Sequence, residues 1–515
     1  MALNQYTPEE PISSIATALA PAALGIVRVS GKGCIELVSK VFSRPRALLE
    51  APGNTIVYGW ITSLRAEGEA IHAVPEQNSA VPEKESGASE NNAGVPENNA
   101  AVPEPVEGPH LQTNKIDEVM CAVYRAPKSY TGEDMVEIFC HGGPAVVTAV
   151  QNLMLRSGFR QANRGEYTFR AYINGKTDLT KAEAVREIID SHTDDSRSHA
   201  AGRLAGALFE EIDSIKKLIV DTVAAIEVEI EYPEDEENFS DTFDCSGLEE
   251  AVRRLQSLVD SWKGEKLYQD GARVVLAGRT NAGKSSLFNA ILKEERAIVS
   301  DIEGTTRDWL ESWASINGIP VRLFDTAGLR QTDDVIEAKG VEISRSLVHD
   351  ADVVLYLVDS QEGLNEEDRT FIESCRVPCI LVWNKCDVSA SVVPEPSVDP
   401  DPSAVPEPVE GPQSHISAKT GQGLSELFSQ IQTLLTAGLS TERTQAGLGS
   451  ARQKDAVAEA LERVKHALLA ATDNYSLDAV VQDLEDALDS LGEVTGIVTP
   501  DDVLGSIFAN FCVGK

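Results

Sequence analysis

The chain has 515 residues and a formal net charge of −37, room for about three domains of roughly 150 residues, each with its own core. That acidity excludes a broad nucleic-acid-binding surface on this chain alone, because phosphate contacts need clustered Lys and Arg. No apolar run approaches the roughly 20 residues that span a bilayer, and Met1 to Pro21 has neither a basic leader nor an unbroken apolar core, so a soluble cytoplasmic protein is expected. The eight cysteines show no paired spacing of a zinc site or disulfide framework, and reduced thiols are expected.

In chain order, Gly25 to Ser30 and Thr55 to Trp60 are β-branched and aromatic runs bounded by Gly and Pro, and Glu118 to Tyr124 and Met135 to Phe139 continue the pattern. An α+β N-terminal domain is predicted over 1–178. It is interrupted at about 73–112 by an acidic, low-complexity stretch in which Val-Pro-Glu recurs at 74, 81, 95 and 102. A second such stretch, at about 390–412, repeats Ala101 to Pro109 identically as Ala404 to Pro412. The two supply −6 and −5 of the net charge, leaving about −26 elsewhere. Such composition buries too little apolar surface to offset ordering entropy, so both inserts are expected to be mobile loops without a structural role.

From about Thr180 the period becomes helical, over Ala182 to Ile230 and Gly247 to Trp262, and it returns at Ser450 to Leu491. A helical domain in two segments, 179–269 and 438–515, with a nucleotide domain inserted at 270–437, accounts for this order. The fold class expected is multidomain α/β: an α+β N-terminal domain, a discontinuous helical domain and a Ras-like P-loop domain with a parallel-rich sheet covered by helices on both faces.

The inserted domain carries the chemistry. Ala272 to Ala277 reads as a buried strand, followed by Gly278-Arg-Thr-Asn-Ala-Gly-Lys-Ser285 and a helix, the context that a P-loop requires. Asn281, Ala282, Gly283, Lys284, Ser285 and Ser286 are predicted to cradle phosphate oxygens, with Lys284 on the β- and γ-phosphates and Ser285 on Mg²⁺. Downstream, Ser300, Asp301, Ile302, Glu303, Gly304, Thr305 and Thr306 form a switch loop whose Thr306 should complete the Mg²⁺ shell. Asp325, Thr326, Ala327 and Gly328 form the second phosphate-side motif, Asp325 serving the metal directly or through water. Asn384, Lys385 and Asp387 read guanine. The Asp387 carboxylate can accept from N1–H and the exocyclic amine, a donor pair that adenine lacks. Ser417, Ala418 and Lys419 fit the remaining base-contact loop.

Leu329 stands where many GTPases carry a water-positioning Gln. Another group must position the water: Asp333, Asp334 or Glu337, Arg330, or a monovalent cation beside the phosphates. Asn281 either holds such a cation through its side-chain oxygen or simply fills a variable position.

Outside the two inserts the chain resembles the MnmE (TrmE) family of tRNA-modifying GTPases. The resemblance includes segments remote from the nucleotide motifs: Gly25-Ile-Val-Arg-Val-Ser-Gly31, Ser129-Tyr-Thr-Gly-Glu-Asp134, His141-Gly-Gly-Pro144, Arg164-Gly-Glu-Tyr-Thr-Phe-Arg170, Asn174-Gly-Lys176 and Phe511-Cys-Val-Gly-Lys515. It implies a folate-binding, dimerising N-terminal domain, a two-segment helical domain and an inserted G domain. It also implies a homodimer that joins the flavoprotein MnmG (GidA) in a heterotetramer or larger complex. Together they add a carboxymethylaminomethyl or aminomethyl group to C5 of the wobble uridine of certain tRNAs. The one-carbon unit would come from a tetrahydrofolate, as the 5-formyl or 5,10-methylene form, and FAD would belong to the partner. Potassium-dependent meeting of two G domains would activate hydrolysis, with K⁺ at Asn281, Ser300, Ile302 and Thr305, Mg²⁺ at Ser285 and Thr306, and Glu337 orienting the water with Arg330 nearby. Arg28, Glu137, Lys176 and Lys515 match the family's folate contacts. Cys512 is either a chemical participant or a packing residue. The chain departs from the pattern in its inserts and in Thr280, where the family usually has Pro. Two other functions fit part of these features: a regulatory GTPase of ribosome assembly, for which a basic RNA-binding appendage would be expected, and a folate-dependent enzyme acting on a small metabolite.

Overall fold

Strand alternation builds the first unit, and a single apolar face decides its layers. In the computed structural model the described residues are 10–64, 113–231, 245–294, 310–325, 347–388, 411–439, 446–472 and 477–514. They divide into two compact units, 1–176 with 508–515, and 177–507.

In the first unit β1 (Ile12–Ile15), β2 (Leu24–Ser30), β3 (Thr55–Leu64), β4 (Thr113–Tyr124), β5 (Met135–His141) and β6 (Arg160–Gln161) form a sheet in the order β3-β4-β5-β2-β1-β6. Neighbours are antiparallel except β1 and β6. Val27, Val29, Val57, Val119, Val136 and Ile138 point to one face and share a core with Ile35 and Val38 of α1 (Cys34–Ser39) and Val147, Val150 and Met154 of α3 (Pro144–Arg156). Between these helices in sequence lies the short α2 (Pro45–Leu49). The period of two separates Val57, 8 % exposed, from its neighbour Ile56, 65 % exposed. Leu64 pairs with Thr113, so the first insert joins the adjacent ends of two paired strands. Both inserts lie outside the described residues, apart from Gly411 and Pro412 at the end of the second.

The chain's last residues also belong to this unit. Phe508 packs edge-on against Phe169 of α4 (Glu166–Ile173), ring centroids 5.3 Å apart, and Val513 bridges to Arg164. The sequence reading placed all of 438–515 in the helical domain. By their contacts residues 508–515 group with the first unit.

In the second unit, α5 (Leu179–Asp190), α6 (Asp194–Ala205) and α7 (Ala207–Glu231) break the long helical signal at local stop signals. Thr193 and Ser196 form a capping box at the start of α6, and Gly206 takes φ 105° at its end, a conformation that glycine adopts without a Cβ clash. α8 (Ser246–Asp270) then leads into the nucleotide domain: β7 (Ala272–Gly278), α9 (Lys284–Glu294), β8 (Leu310–Ile316), β9 (Ile319–Asp325), β10 (Val353–Asp359), α10 (Glu366–Ser374), β11 (Cys379–Asn384), β12 (Gln413–His415) and α11 (Leu424–Thr436). The sheet order is β12-β11-β10-β7-β9-β8, parallel except for the β8/β9 hairpin. After it come α12 (Ala451–Thr472) and α13 (Leu477–Thr495). Leu248, Leu255 and Leu258 of α8 share one buried core with Ile212 and Ile219 of α7, Val457, Leu461 and Val464 of α12, and Leu484 and Leu491 of α13. The helical core is thus built from both sides of the nucleotide domain, and the fold class is the multidomain α/β arrangement expected.

A buried ion cluster fastens α5, α6 and α8. Arg203, 1 % exposed, donates to Glu187 (2.7 Å) and to Glu265 (2.7 Å), and His199 Nδ1 lies 3.0 Å from Glu265. Burial pushes the Glu187 carboxyl up to about 7 against the pull of Arg203, while the two carboxylates hold Arg203 firmly charged. Removing the shared cation leaves Glu187 without its cation and Glu265 with His199 alone. Arg203→Ala is therefore expected to destabilise the helical domain by about 3–5 kcal/mol in denaturant unfolding followed by helical circular dichroism. An unchanged transition would show that the cluster contributes nothing net.

Candidate functional site

At the end of β7 the chain must turn sharply enough for backbone N–H groups to face a phosphate. Gly278, at φ 129°, makes that turn, since a Cβ there would meet the Leu357 carbonyl oxygen at 2.3 Å. Gly283, at φ 96°, lies so close to Asn384 that a Cβ would meet its Nδ2 at 2.2 Å. Lys284 begins α9, is largely buried, and donates from Nζ to the carbonyls of Gly278 (2.8 Å) and Arg279 (2.7 Å). Ser285 Oγ donates to Asp325 Oδ2 at 2.7 Å, so β9 delivers its buried terminal carboxylate to the serine of the loop. Two adjacent oxygen donors of this kind fit a hard cation such as Mg²⁺.

The base-reading loops are locked to the P-loop. Asn384 Nδ2 donates to the Ala282 carbonyl (2.8 Å), and its Oδ1 accepts from Ala418 N (3.0 Å). Ser417 Oγ donates to Asp387 Oδ1 at 2.7 Å, orienting an otherwise exposed carboxylate. Lys385, at φ 65°, pairs with Asp359 at the end of β10 (2.7 Å). Burial opposes the Asp359 charge, yet the Lys385 ammonium and the Gln361 N–H hold its pKa below the ordinary carboxylate value. Asn281 is exposed at φ 66° and Ser286 is exposed at the start of α9. Lys419 follows directly in the loop of Ser417.

Several expected residues fall outside the described ones: Ser300, Asp301, Ile302, Glu303, Gly304, Thr305, Thr306, Thr326, Ala327, Gly328, Leu329, Arg330, Asp333, Asp334, Glu337 and Lys515. In the first unit, Arg28 and Glu137 do come together. Arg28 Nε donates to Glu137 Oε1 (2.8 Å) and Nη1 to the Gly514 carbonyl (2.7 Å), while Tyr124 OH reaches Glu137 Oε2 at 3.4 Å. Tyr167 donates its buried hydroxyl to the Arg28 carbonyl (2.7 Å) and lies beneath the guanidinium. Lys176 is exposed beside Gly132, and Cys512 is exposed on the tail. All eight cysteines are free thiols.

Sequence reasoning missed the supports. Asp359 is marked only by ending an apolar strand. Arg279 is tied by Nη2 to the Gly363 carbonyl (2.6 Å) and by Nε to the buried Asp368 (3.2 Å), which also accepts from Tyr356 OH (2.7 Å). In the first unit, the fully buried Arg170 bridges Glu133 (3.0 Å) and Glu166 (3.0 Å). Asp359 and Arg170 show only as charges in largely apolar segments, and Arg279 and Asp368 sit in polar runs that give no signal at all.

Asp387 needs a base that offers two adjacent donors, and the P-loop with Asp325 needs a metal-bound polyphosphate; a GTP-hydrolysing P-loop protein is the class that meets both. Residues 179–512 match the model of the MnmE helical domain, and residues 76–176 match that of the GTP-binding protein TrmE N-terminus. A relative in Treponema denticola named tRNA modification GTPase MnmE is 45 % identical over 522 residues, covering 100 % of both chains. One of the same name in Treponema pallidum (strain Nichols) is 39 % identical, again over 100 % of both. Among solved structures, the G domain of T. maritima FeoB is 25 % identical over 32 % of this chain and 98 % of its own, with a TM-score of 0.23. The chain belongs to the MnmE family. Among the described residues no helix is long and apolar enough to cross a membrane.

If Asp387 reads guanine, Asp387→Asn should weaken GTP binding at least about 100-fold and favour xanthosine triphosphate, whose C2 carbonyl accepts from the new amide. Titration with fluorescent nucleotides checks both halves, and unaltered GTP affinity would remove Asp387 from the base site.

Proposed function

We propose that this chain is a potassium-activated tRNA modification GTPase of the cytoplasm, working as a homodimer with the flavoprotein MnmG. The pair adds a carboxymethylaminomethyl or aminomethyl group to C5 of the wobble uridine, with a tetrahydrofolate as the one-carbon source and FAD on the partner. The observation that carries this reading is likeness over the whole length to relatives of that name, 45 % identical across 100 % of both chains in the first case. The acidic charge supports a partner that supplies the basic surface for RNA.

In the nucleotide site, Lys284 neutralises charge growing on the β,γ-bridging oxygen as the terminal P–O bond breaks, and Ser285, Asp325 and Thr306 hold the Mg²⁺ shell. Glu337 orients the attacking water, and Arg330 is the second catalytic candidate. Asn281, whose side chain stands at an exposed left-handed turn, holds K⁺ with Ser300, Ile302 and Thr305. K⁺ supplies the transition-state charge that an arginine finger supplies elsewhere. Asp301, Glu303, Gly304, Thr326, Ala327 and Gly328 belong to the GTP-binding set in this reading.

In the first unit, Arg28 and Glu137 present donor and acceptor groups of both signs, which suit a pterin edge. Lys176 and Lys515 suit a glutamate tail. Cys512 lies two residues before the Gly514 carbonyl that Arg28 holds and is exposed, so burial gives it no packing role.

Hydrolysis gates the modification: two G domains meet on GTP and K⁺, and hydrolysis reopens the complex. Replacing K⁺ by Na⁺ at equal ionic strength should slow GTP hydrolysis at least about tenfold; equal rates would remove the cation from the mechanism. With purified partner, tRNA and methylene-tetrahydrofolate, Glu337→Ala should abolish both hydrolysis and modification, and full modification by that variant would overturn the gating.

A further inference from the structure

We propose that the β8/β9 hairpin is the lever by which the nucleotide state reaches the helical domain, with Trp313 as its positioning residue. This rests on the gating reading above and names the contact through which gating acts.

The hairpin has two functional ends. At one, β8 starts four residues after Thr306 and β9 finishes on Asp325, which accepts from Ser285 of the P-loop. Both switch segments therefore enter or leave the same pair of strands. The strands stay in register from Leu310 opposite Asp325 to Ile316 opposite Ile319, a stiff ribbon of roughly 20 Å.

From its middle, at Trp313, to its turn, at Gly318, helical-domain elements converge on the ribbon. His192, in the link between α5 and α6, stacks on the Trp313 indole with centroids 3.8 Å apart and planes at 26°. The Arg322 guanidinium, from the residue opposite Trp313 in register, lies 4.8 Å from the same ring. Burial and the Arg322 charge lower the His192 pKa, so a neutral imidazole meets the indole. Gly271, at the junction of α8 and β7, takes φ 70°, and a Cβ there would meet Trp313 Cζ3 at 2.5 Å. At the turn, Gly318 is so close to Asp195 of α6 that a Cβ would meet its Oδ2 at 2.3 Å. The α5–α6 link, the first turn of α6 and the end of α8 thus rest on one hairpin.

A displacement of the ribbon at its switch end must repack these contacts, because close-packed interfaces have discrete arrangements rather than a continuum. Among the described residues, Trp313 lies against His192, Arg322 and Gly271, none of them assigned to phosphate, metal or base. Its removal should leave hydrolysis intact and disconnect it from the rest.

The test is hydrogen exchange in the full chain over residues 187–203, with GDP and with a non-hydrolysable GTP analogue. In the wild type, exchange in this stretch should differ between the two nucleotides by at least about tenfold. Trp313→Ala should erase the difference while GTP turnover stays within about threefold, and Trp313→Phe, which keeps a stacking ring, should restore it. His192→Ala removes the contact from the other side and should act like Trp313→Ala, which guards against a folding defect in the G domain. No difference in the wild type, or a difference that survives in both alanine variants, overturns the lever. Modification assays separate the two ideas: normal modification by Glu337→Ala sinks gating itself. A dead Glu337→Ala beside fully active Trp313→Ala and His192→Ala sinks the lever alone.

Discussion

Leu248 and Leu255 on α8 share a core with Val457 and Leu461 on α12, although the whole nucleotide domain lies between these helices in the chain. This apolar core closes the helical domain only when both flanks of the inserted domain are present, so it fixes the points where the G domain leaves and rejoins. An insertion held at both ends cannot move without loading its supports. The close approach of Trp313 to Gly271 at the first junction is a direct result.

Within the G domain the same economy of contacts recurs. Asn384 bonds the P-loop and the Ser417 loop at once, and Asp359 fixes Lys385 beside it. Base loop and phosphate loop are therefore one preorganised body, which lowers the ordering cost of binding a nucleotide. The first unit follows a similar rule with different chemistry: the buried Arg170 is bonded to Glu133 and Glu166, and Arg28 is bonded to Glu137 and to the Gly514 carbonyl. Buried pairs of this kind cost desolvation, and their worth lies in holding geometry.

The sequence made the nucleotide site legible because P-loop chemistry is local. A turn, a lysine and a serine within eight residues, after a strand and before a helix, can be read without knowing the fold. Strands β2 to β5 of the first unit were legible for the same reason, each being a short apolar alternation between breakers, whereas β1 and β6 carry no such signal. The supports were not. Asp368 meets Arg279, Arg170 meets Glu133, and His192 meets Trp313 only after distant segments pack. The place of the tail was legible only through the resemblance, which grouped Lys515 with Arg28, Glu137 and Lys176; the helical period says nothing of the contacts with Phe169 and Arg164.

Membership of the family makes tRNA the proposed substrate, and the two Val-Pro-Glu inserts are the feature that the family pattern does not account for. The most direct measurement is mass spectrometry of wobble nucleosides in tRNA from cells with and without this chain, and after restoring it with residues 73–112 and 390–412 removed. The account predicts loss of the C5-aminomethyl-type uridines on deletion and their return with the trimmed chain. Unchanged nucleosides on deletion would contradict it and leave a GTPase of another pathway.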